Sequence, residues 1–318
     1  MPFRTQSPLC PLSGLTLRTL HPSPKGGGVV RQIPTRRVDS ADRVPLGAGW
    51  QSFYSGAMPH NVNSDQQKCR QLIDRWDDIH SILDPRRQER FELMMDLLEV
   101  TMPRRFVCLD LGAGPGPFSK RMLERFPGAS VIAVDHNPVH SRIGELALER
   151  FGERSQWVTL DLRSPRWDEC LPVRRMDAVV TCQTFHDIEP GKLRSVYCTL
   201  GVRLRSKGVL LNSDWMPWDR SRSIFGRLYA QVKEIRKRGG RQPDRRHFHR
   251  EYMRWWEDAR RVPSLQEVFK RVDPLIFDEK ATNVTTVEAH LAALHHAGFR
   301  DVDVVWQNGE SRVVMARK

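Results

Sequence analysis

Apolar residues fall into two rhythms along this chain, and the switch between them points to the fold class. From Cys69 to Leu83, the residues Leu72, Trp76, Ile79 and Leu83 recur at spacings of three and four, the stripe of an amphipathic helix. Asp84-Pro85 then offers an N-cap and a proline at the first helical position, predicting a second helix whose Phe91, Met94, Met95 and Leu98 fill the core. These helices are expected to cover a sheet edge and fold over a ligand site. After them the rhythm changes to short, continuous apolar runs. Residues 107–111, 129–135, 156–161, 176–182 and 208–213 read as buried strands. Between the strands, 119–126, 138–151 and 191–204 keep helical character. Strands alternating with helices predict parallel βαβ units in a doubly wound sheet. A late helix, 286–297, is closed by Gly298. The chain then ends in the runs 301–306 and 311–316, joined through Asn308-Gly309, a strong hairpin signal. The expected fold is α/β, a mostly parallel seven-stranded sheet with a C-terminal antiparallel hairpin and a helical insertion.

The first strand runs into Val107-Cys-Leu-Asp-Leu-Gly-Ala-Gly-Pro-Gly-Pro-Phe-Ser119, with Gly112, Gly114 and Gly116 at every second position. Glycines at a strand-to-helix turn allow positive φ and let a ligand approach main-chain N–H groups that a Cβ would shield. A nucleotide-like cofactor is the expectation. A dinucleotide fold asks for a third small residue at position 117, and that position holds Pro117. Asp110, at the end of the strand, would repel a pyrophosphate and attract a cation.

Leu109-Asp-Leu-Gly-Ala-Gly-Pro-Gly116 closely resembles the first motif of class I S-adenosylmethionine-dependent methyltransferases, whose ligand carries an ammonium and a sulfonium and no phosphate. The resemblance spans roughly 68–218 and 282–318. It implies a Rossmann-like methyltransferase fold with S-adenosyl-L-methionine as cofactor, bound around Asp110, Gly112, Ala113, Gly114 and Gly116.

Further acids arrive at the ends of later strands. Asp135 closes the second one, where a carboxylate can accept hydrogen bonds from both ribose hydroxyls; capping the helix near Pro138 is its alternative. His136 follows it into the same site. The resemblance implies adenine contacts for Asp161 or its neighbour Leu162, although Asp161 also reads as the start of a turn. Gln183 and His186 leave the sheet at the end of the fourth strand. Ligands of doubly wound sheets bind at the carboxyl ends of the strands, where all these residues converge.

Methyl transfer asks the protein to align a nucleophile and exclude water, and a hydroxyl or amine acceptor must also lose a proton. His186 is the candidate base, with an ordinary pKa near 6.5. Its alternative is a backbone hydrogen bond within the loop, with Asp187 capping the next helix. His295 and His296 are further candidates. No cluster has metal-ligand spacing, so no metal is expected.

Composition and charge refine this picture. The 318 residues contain no apolar run of the length of a membrane span, and no membrane partner is expected. Six cysteines are scattered without a C-x-x-C pair. Cys108 and Cys182 sit in apolar runs as expected core residues, in keeping with a cytoplasmic protein. The net charge of +13 is concentrated in two places. Residues 1–57 carry seven Lys and Arg against two acids; residues 219–261 carry fourteen against six.

The 1–57 tail, rich in Pro, Gly, Ser and Arg, is expected to be disordered. Its readings are an organelle transit peptide, a basic arm, or a passive extension ahead of a true start at Met58. A core of 58–218 and 282–318 then surrounds an insertion, 219–281, with helices over 223–236, 250–260 and 264–272. There Trp255 and Trp256 mix with arginines, His247 and His249. The insertion is expected to form a lid, with recognition of an anionic small molecule or RNA, or a merely solvated face, as alternatives. The function expected is methyl transfer to a small organic acceptor. The rivals are an RNA methyltransferase and a nicotinamide-dependent or non-catalytic nucleotide binder.

Overall fold

The computed structural model describes residues 62–240, 242–272 and 285–318; the expectations for the 1–57 tail and for 273–281 lie outside them. The strands are β1 (Phe106–Leu111), β2 (Ala129–Asp135), β3 (Ser155–Thr159), β4 (Met176–Cys182), β5 (Leu204–Trp215), β6 (Asp301–Asn308) and β7 (Ser311–Arg317). They form one sheet in the order β3-β2-β1-β4-β5-β7-β6. The first five strands are parallel, and β7 runs antiparallel between β5 and β6. The chain order reverses between β1 and β4, which opens a crevice at the carboxyl ends of those strands.

Nine helices are described: α1 (Val62–Leu83), α2 (Arg87–Thr101), α3 (Pro117–Arg125), α4 (Pro138–Leu148), α5 (Pro190–Arg203), α6 (Ile224–Arg238), α7 (Arg245–Arg260), α8 (Gln266–Arg271) and α9 (Val287–His296). The central parallel strands β1, β2 and β4 are buried on both faces, which is why their sequences are continuous apolar runs rather than alternations, whereas β3 at the sheet edge is only half-buried. Cys108, Val131, Val180 and Leu211 face one core with Leu72, Phe91, Phe118 and Ile143. Leu109, Ile132, Val179 and Leu210 face the other with Leu193, Tyr197 and Leu294.

Two details differ from the sequence expectation. α2 begins at Arg87 rather than at Pro85, because the Asp84 carboxylate does not cap it but pairs with the buried Arg90. Cys182, expected within the core, stands at the edge of a cavity instead, although Cys108 is fully buried.

The insertion does not act as one piece. α7, α8 and the turn between them join the first core through Trp255, Trp256, Val268 and Leu265. Trp255 Nε1 donates to the Leu72 carbonyl at 2.8 Å, and Arg75 pairs with Asp258 at 2.6 Å, so α7 is fastened along α1. α6 buries only Gly226.

Candidate active site

A cavity of about 650 Å³ opens where β1 and β4 diverge, within the size range of small-molecule sites. Its floor is the glycine turn. Gly112 holds φ 66°, and a Cβ there would overlap the Thr184 side chain. A side chain at this position would be strained and would also collide with the loop after β4. Gly112, Ala113 and Gly114 line the cavity, whereas Gly116 does not. Gly116 takes φ 98° at the start of α3, and a Cβ on it would press into the Trp157 ring. Its requirement for glycine is therefore met by packing and backbone conformation, away from the cavity.

The carboxylates expected at the strand ends are present, each in a different state. Asp110 is buried, and Ser119 Oγ donates to it at 2.6 Å. Burial pushes its carboxyl up to about 7, against the Ser119 hydrogen bond and aided by the charge of Asp135. No ion pair reaches it among the described residues. Asp135 is buried too, but it is held below the ordinary carboxylate value. There the hydrogen bond and charge of His140, the charge of His136 and the Asn137 N–H outweigh burial. Asp135 accepts from Gly114 N at 2.7 Å, Asn137 N at 2.9 Å and His140 Nδ1 at 3.3 Å. Three of about four lone-pair sites are thus taken, which leaves room for one ribose hydroxyl rather than two. Asp161 lines the cavity beside the buried Leu162, with its carboxylate turned onto Arg163 N and Nε at 2.8 and 2.9 Å.

His140 was not singled out by sequence reasoning. It lies one helical turn into α4, where it steadies Asp135 and stacks on Trp256 at 5.3 Å between centroids. A histidine five residues after a strand-end acid was the available signal. Trp76, in van der Waals reach of Gly114, joins His80 of α1 and Phe248 and Tyr252 of α7 in an aromatic wall of the cavity. His80 is pushed down to about 4 by burial and the nearby Arg87 charge, so at neutral pH it is an uncharged ring. Gln183 takes φ 54° and accepts from Arg87 Nη1 at 3.0 Å, which ties the loop after β4 to α2.

His186 stands in the short helical turn that follows, on the cavity wall. Its Nδ1 lies 2.6 Å from Asp214 Oδ1, and its backbone N donates to Asp214 Oδ2 at 3.1 Å. Asp214 sits near the end of β5, fully buried. Burial opposes charge on the imidazole, but the Asp214 carboxylate outweighs it and pushes His186 up to about 9. Nδ1 is engaged by Asp214, and Nε2, on the cavity side, lies 3.5 Å from Asp187 Oδ1, so a ligand would share that nitrogen with a second carboxylate. Asp214 was also missed; the strand had been expected to end at Ser213, two residues before its actual end at Trp215. His295 and His296 line no part of the cavity, and His296 meets Arg194 on the surface.

The donor set fits a cofactor that is cationic and carries a ribose. A buried carboxyl poised at about 7 gains from a cation, and Asp135 keeps one acceptor site open. A profile for a methyltransferase domain matches residues 108–208. A malonyl-[acyl-carrier protein] O-methyltransferase from Acetivibrio thermocellus is 26% identical over 146 residues, 46% of either chain. The match thus spans a little under half of that relative. Among solved structures, magnesium protoporphyrin IX methyltransferase from Synechocystis PCC 6803 with bound SAH is similar at 15% identity, over 77% of this chain and 93% of that one, with a TM-score of 0.48. A putative O-methyltransferase from Nostoc punctiforme is similar at 13% identity, over 76% and 59%, with a TM-score of 0.47. The strand order, the glycine turn with its two carboxylates and the matched profile agree: residues 108–208 are those of a methyltransferase domain.

Proposed function

We propose that the protein is an O-methyltransferase whose small acceptor carries a hydroxyl about as acidic as a phenol. The observation that carries this reading is the Asp214–His186 pair, which opens into the same cavity as Asp110, Asp135 and the glycine turn. When bound, S-adenosylmethionine supplies a methyl group already activated by its sulfonium.

The chain's own residues orient the reactants and hold a proton. Asp110 and Asp135 anchor the cofactor's cationic and ribose ends, and main-chain groups of Gly112 to Gly114 bed it down. Phe248 and Tyr252, with Trp76, exclude water from above and make α7 the lid. Raised to about 9, His186 is itself protonated at neutral pH, so transfer should speed up toward pH 9, where the uncharged ring's Nε2 takes the acceptor's proton and Asp214 stabilises the resulting imidazolium.

Acidity decides which acceptor this suits. A tyrosine-like phenol, with a pKa near 10, lies within about one unit of an imidazolium at about 9, so the proton moves for about 1.4 kcal/mol. A hydroxyl as weak as that of water, near 15.7, would cost about 9 kcal/mol for the same step. The A. thermocellus relative is likewise named for O-methylation. Of the insertion's many cations only Arg245 lines the cavity among the described residues, which favours a small molecule over RNA.

The test is methyl transfer from labelled S-adenosylmethionine to a panel of phenols and aliphatic alcohols, beside calorimetry with S-adenosylhomocysteine. Transfer to phenols is expected, falling by about 100-fold or more in His186→Gln with cofactor affinity kept. A folded protein that does not bind S-adenosylhomocysteine, or a His186→Gln enzyme of undiminished rate, would overturn the proposal.

A further inference from the structure

α6 is built inside out. Gly226 is its one buried residue, and a Cβ there would press on Trp218 and Arg220. On the same side, Tyr229 packs over Gly309 in the β6–β7 turn, and Lys233 donates to Glu310 at 2.7 Å. The helix is therefore fastened to the domain by its polar side. Its apolar residues face outward: Ile224 is 56% exposed, Phe225 65%, Leu228 50%, Val232 37% and Ile235 59%. At 100° per residue these five occupy one arc of about 100°, a continuous stripe and not scattered exposure. Exposed arginines border it on both edges, Arg236 on one and Arg227 with Arg238 on the other, and Glu234 is the only acid of the helix.

From this arrangement we infer that α6 docks the protein on an anionic phospholipid bilayer, lying in the interface plane with the stripe among the acyl chains and the arginines among the headgroups. Charge complementarity selects the occupant. The surrounding 219–261 segment has eight more basic than acidic residues, while the chain outside it and the 1–57 tail is balanced, so the partner is negative. A convex stripe bordered by cations on both sides matches a surface that is apolar beneath and negative all round. A second copy of this chain fits poorly, because arginine stands on either edge and any pairing of two α6 stripes sets like charges together. The inference concerns a surface helix. No described helix is long and apolar enough to cross a membrane, and α6 would not cross one.

The experiment uses the full chain with vesicles of phosphatidylcholine alone or mixed with phosphatidylglycerol. Sedimentation with the mixed vesicles is expected, weakening as salt is raised and largely absent with phosphatidylcholine alone. Arg227→Ala, Arg236→Ala and Arg238→Ala should each weaken binding about fivefold. Leu228→Glu combined with Ile235→Glu should abolish it, with S-adenosylhomocysteine affinity unchanged as the measure of an intact domain. A tryptophan introduced as Phe225→Trp should shift its emission to the blue on anionic vesicles only. No binding to mixed vesicles, or equal binding by the Leu228→Glu/Ile235→Glu protein, overturns the inference. So does a concentration-dependent dimer that this variant breaks while vesicles stay unbound, which would assign the stripe to a second copy.

Discussion

Replacing Asp214 by Asn removes the charge that makes His186 a strong base. The carboxylate lies 2.6 Å from His186 Nδ1 and is itself fully buried. An imidazole raised from 6.5 to about 9 corresponds to about 3 kcal/mol of preference for its protonated form. Without Asp214 the burial remains and only the Asp187 carboxylate, 3.5 Å from Nε2, still opposes it, so His186 should titrate well below 9. The titration can be followed without any acceptor, through the ring carbon–proton resonance of labelled histidine across about pH 5 to 10.5. Stability gives a second reading with a definite sign. Because the folded pKa lies above the unfolded one, this contribution is complete below about 6.5, declines from there, and is lost above about 9. The urea-unfolding free energy of the wild type should therefore fall relative to Asp214→Asn by about 3 kcal/mol over that window. A wild-type His186 that titrates near 6.5, or a variant that titrates where the wild type does, would refute the reasoning.

Asp110 binds a cation only when ionised, so affinity for S-adenosylmethionine should drop as pH falls through about 7, and Asp110→Asn should flatten that dependence. Calorimetry in two buffers of different ionisation heat would show proton release on binding in the wild type and none in the variant. Gly144 in α4 faces Trp157 so closely that a Cβ would overlap the ring. Gly144→Ala should cost about 1–3 kcal/mol in urea unfolding, and adding Trp157→Val should cost less than the two changes summed.

The sheet was legible because parallel strands buried on both faces write themselves as unbroken apolar runs. The acids that end β1 and β2 were legible because they interrupt such runs. Asp214 obeys the same rule, but β5 continues past Ser213 to Trp215, pairing with β7 to its end. Polar side chains inside a paired strand looked from the sequence like its end. The α2 boundary was misplaced for a related reason. Pro85 is a local signal, and the buried Arg90 drew Asp84 into a tertiary ion pair that outweighed capping. Within the insertion, Trp255 and Trp256 announced burial without saying against what, and their partners on α1 and α4 lie far away in sequence. The stripe on α6 has helical period, but period alone does not say whether a face turns inward.

The hydrogen bond from Trp255 to Leu72 joins residues 183 positions apart. At a synthesis rate of about 5–20 residues per second, α1 leaves the ribosome about ten to forty seconds before its partner exists. During that interval α4 and α3 can collect around α1, but the side that later meets α7 stays bare, Trp76 included. The aromatic wall of the cavity is thus made of two pieces that are born far apart in time. The nascent domain acquires the glycine turn and its carboxylates well before it can enclose a ligand against them.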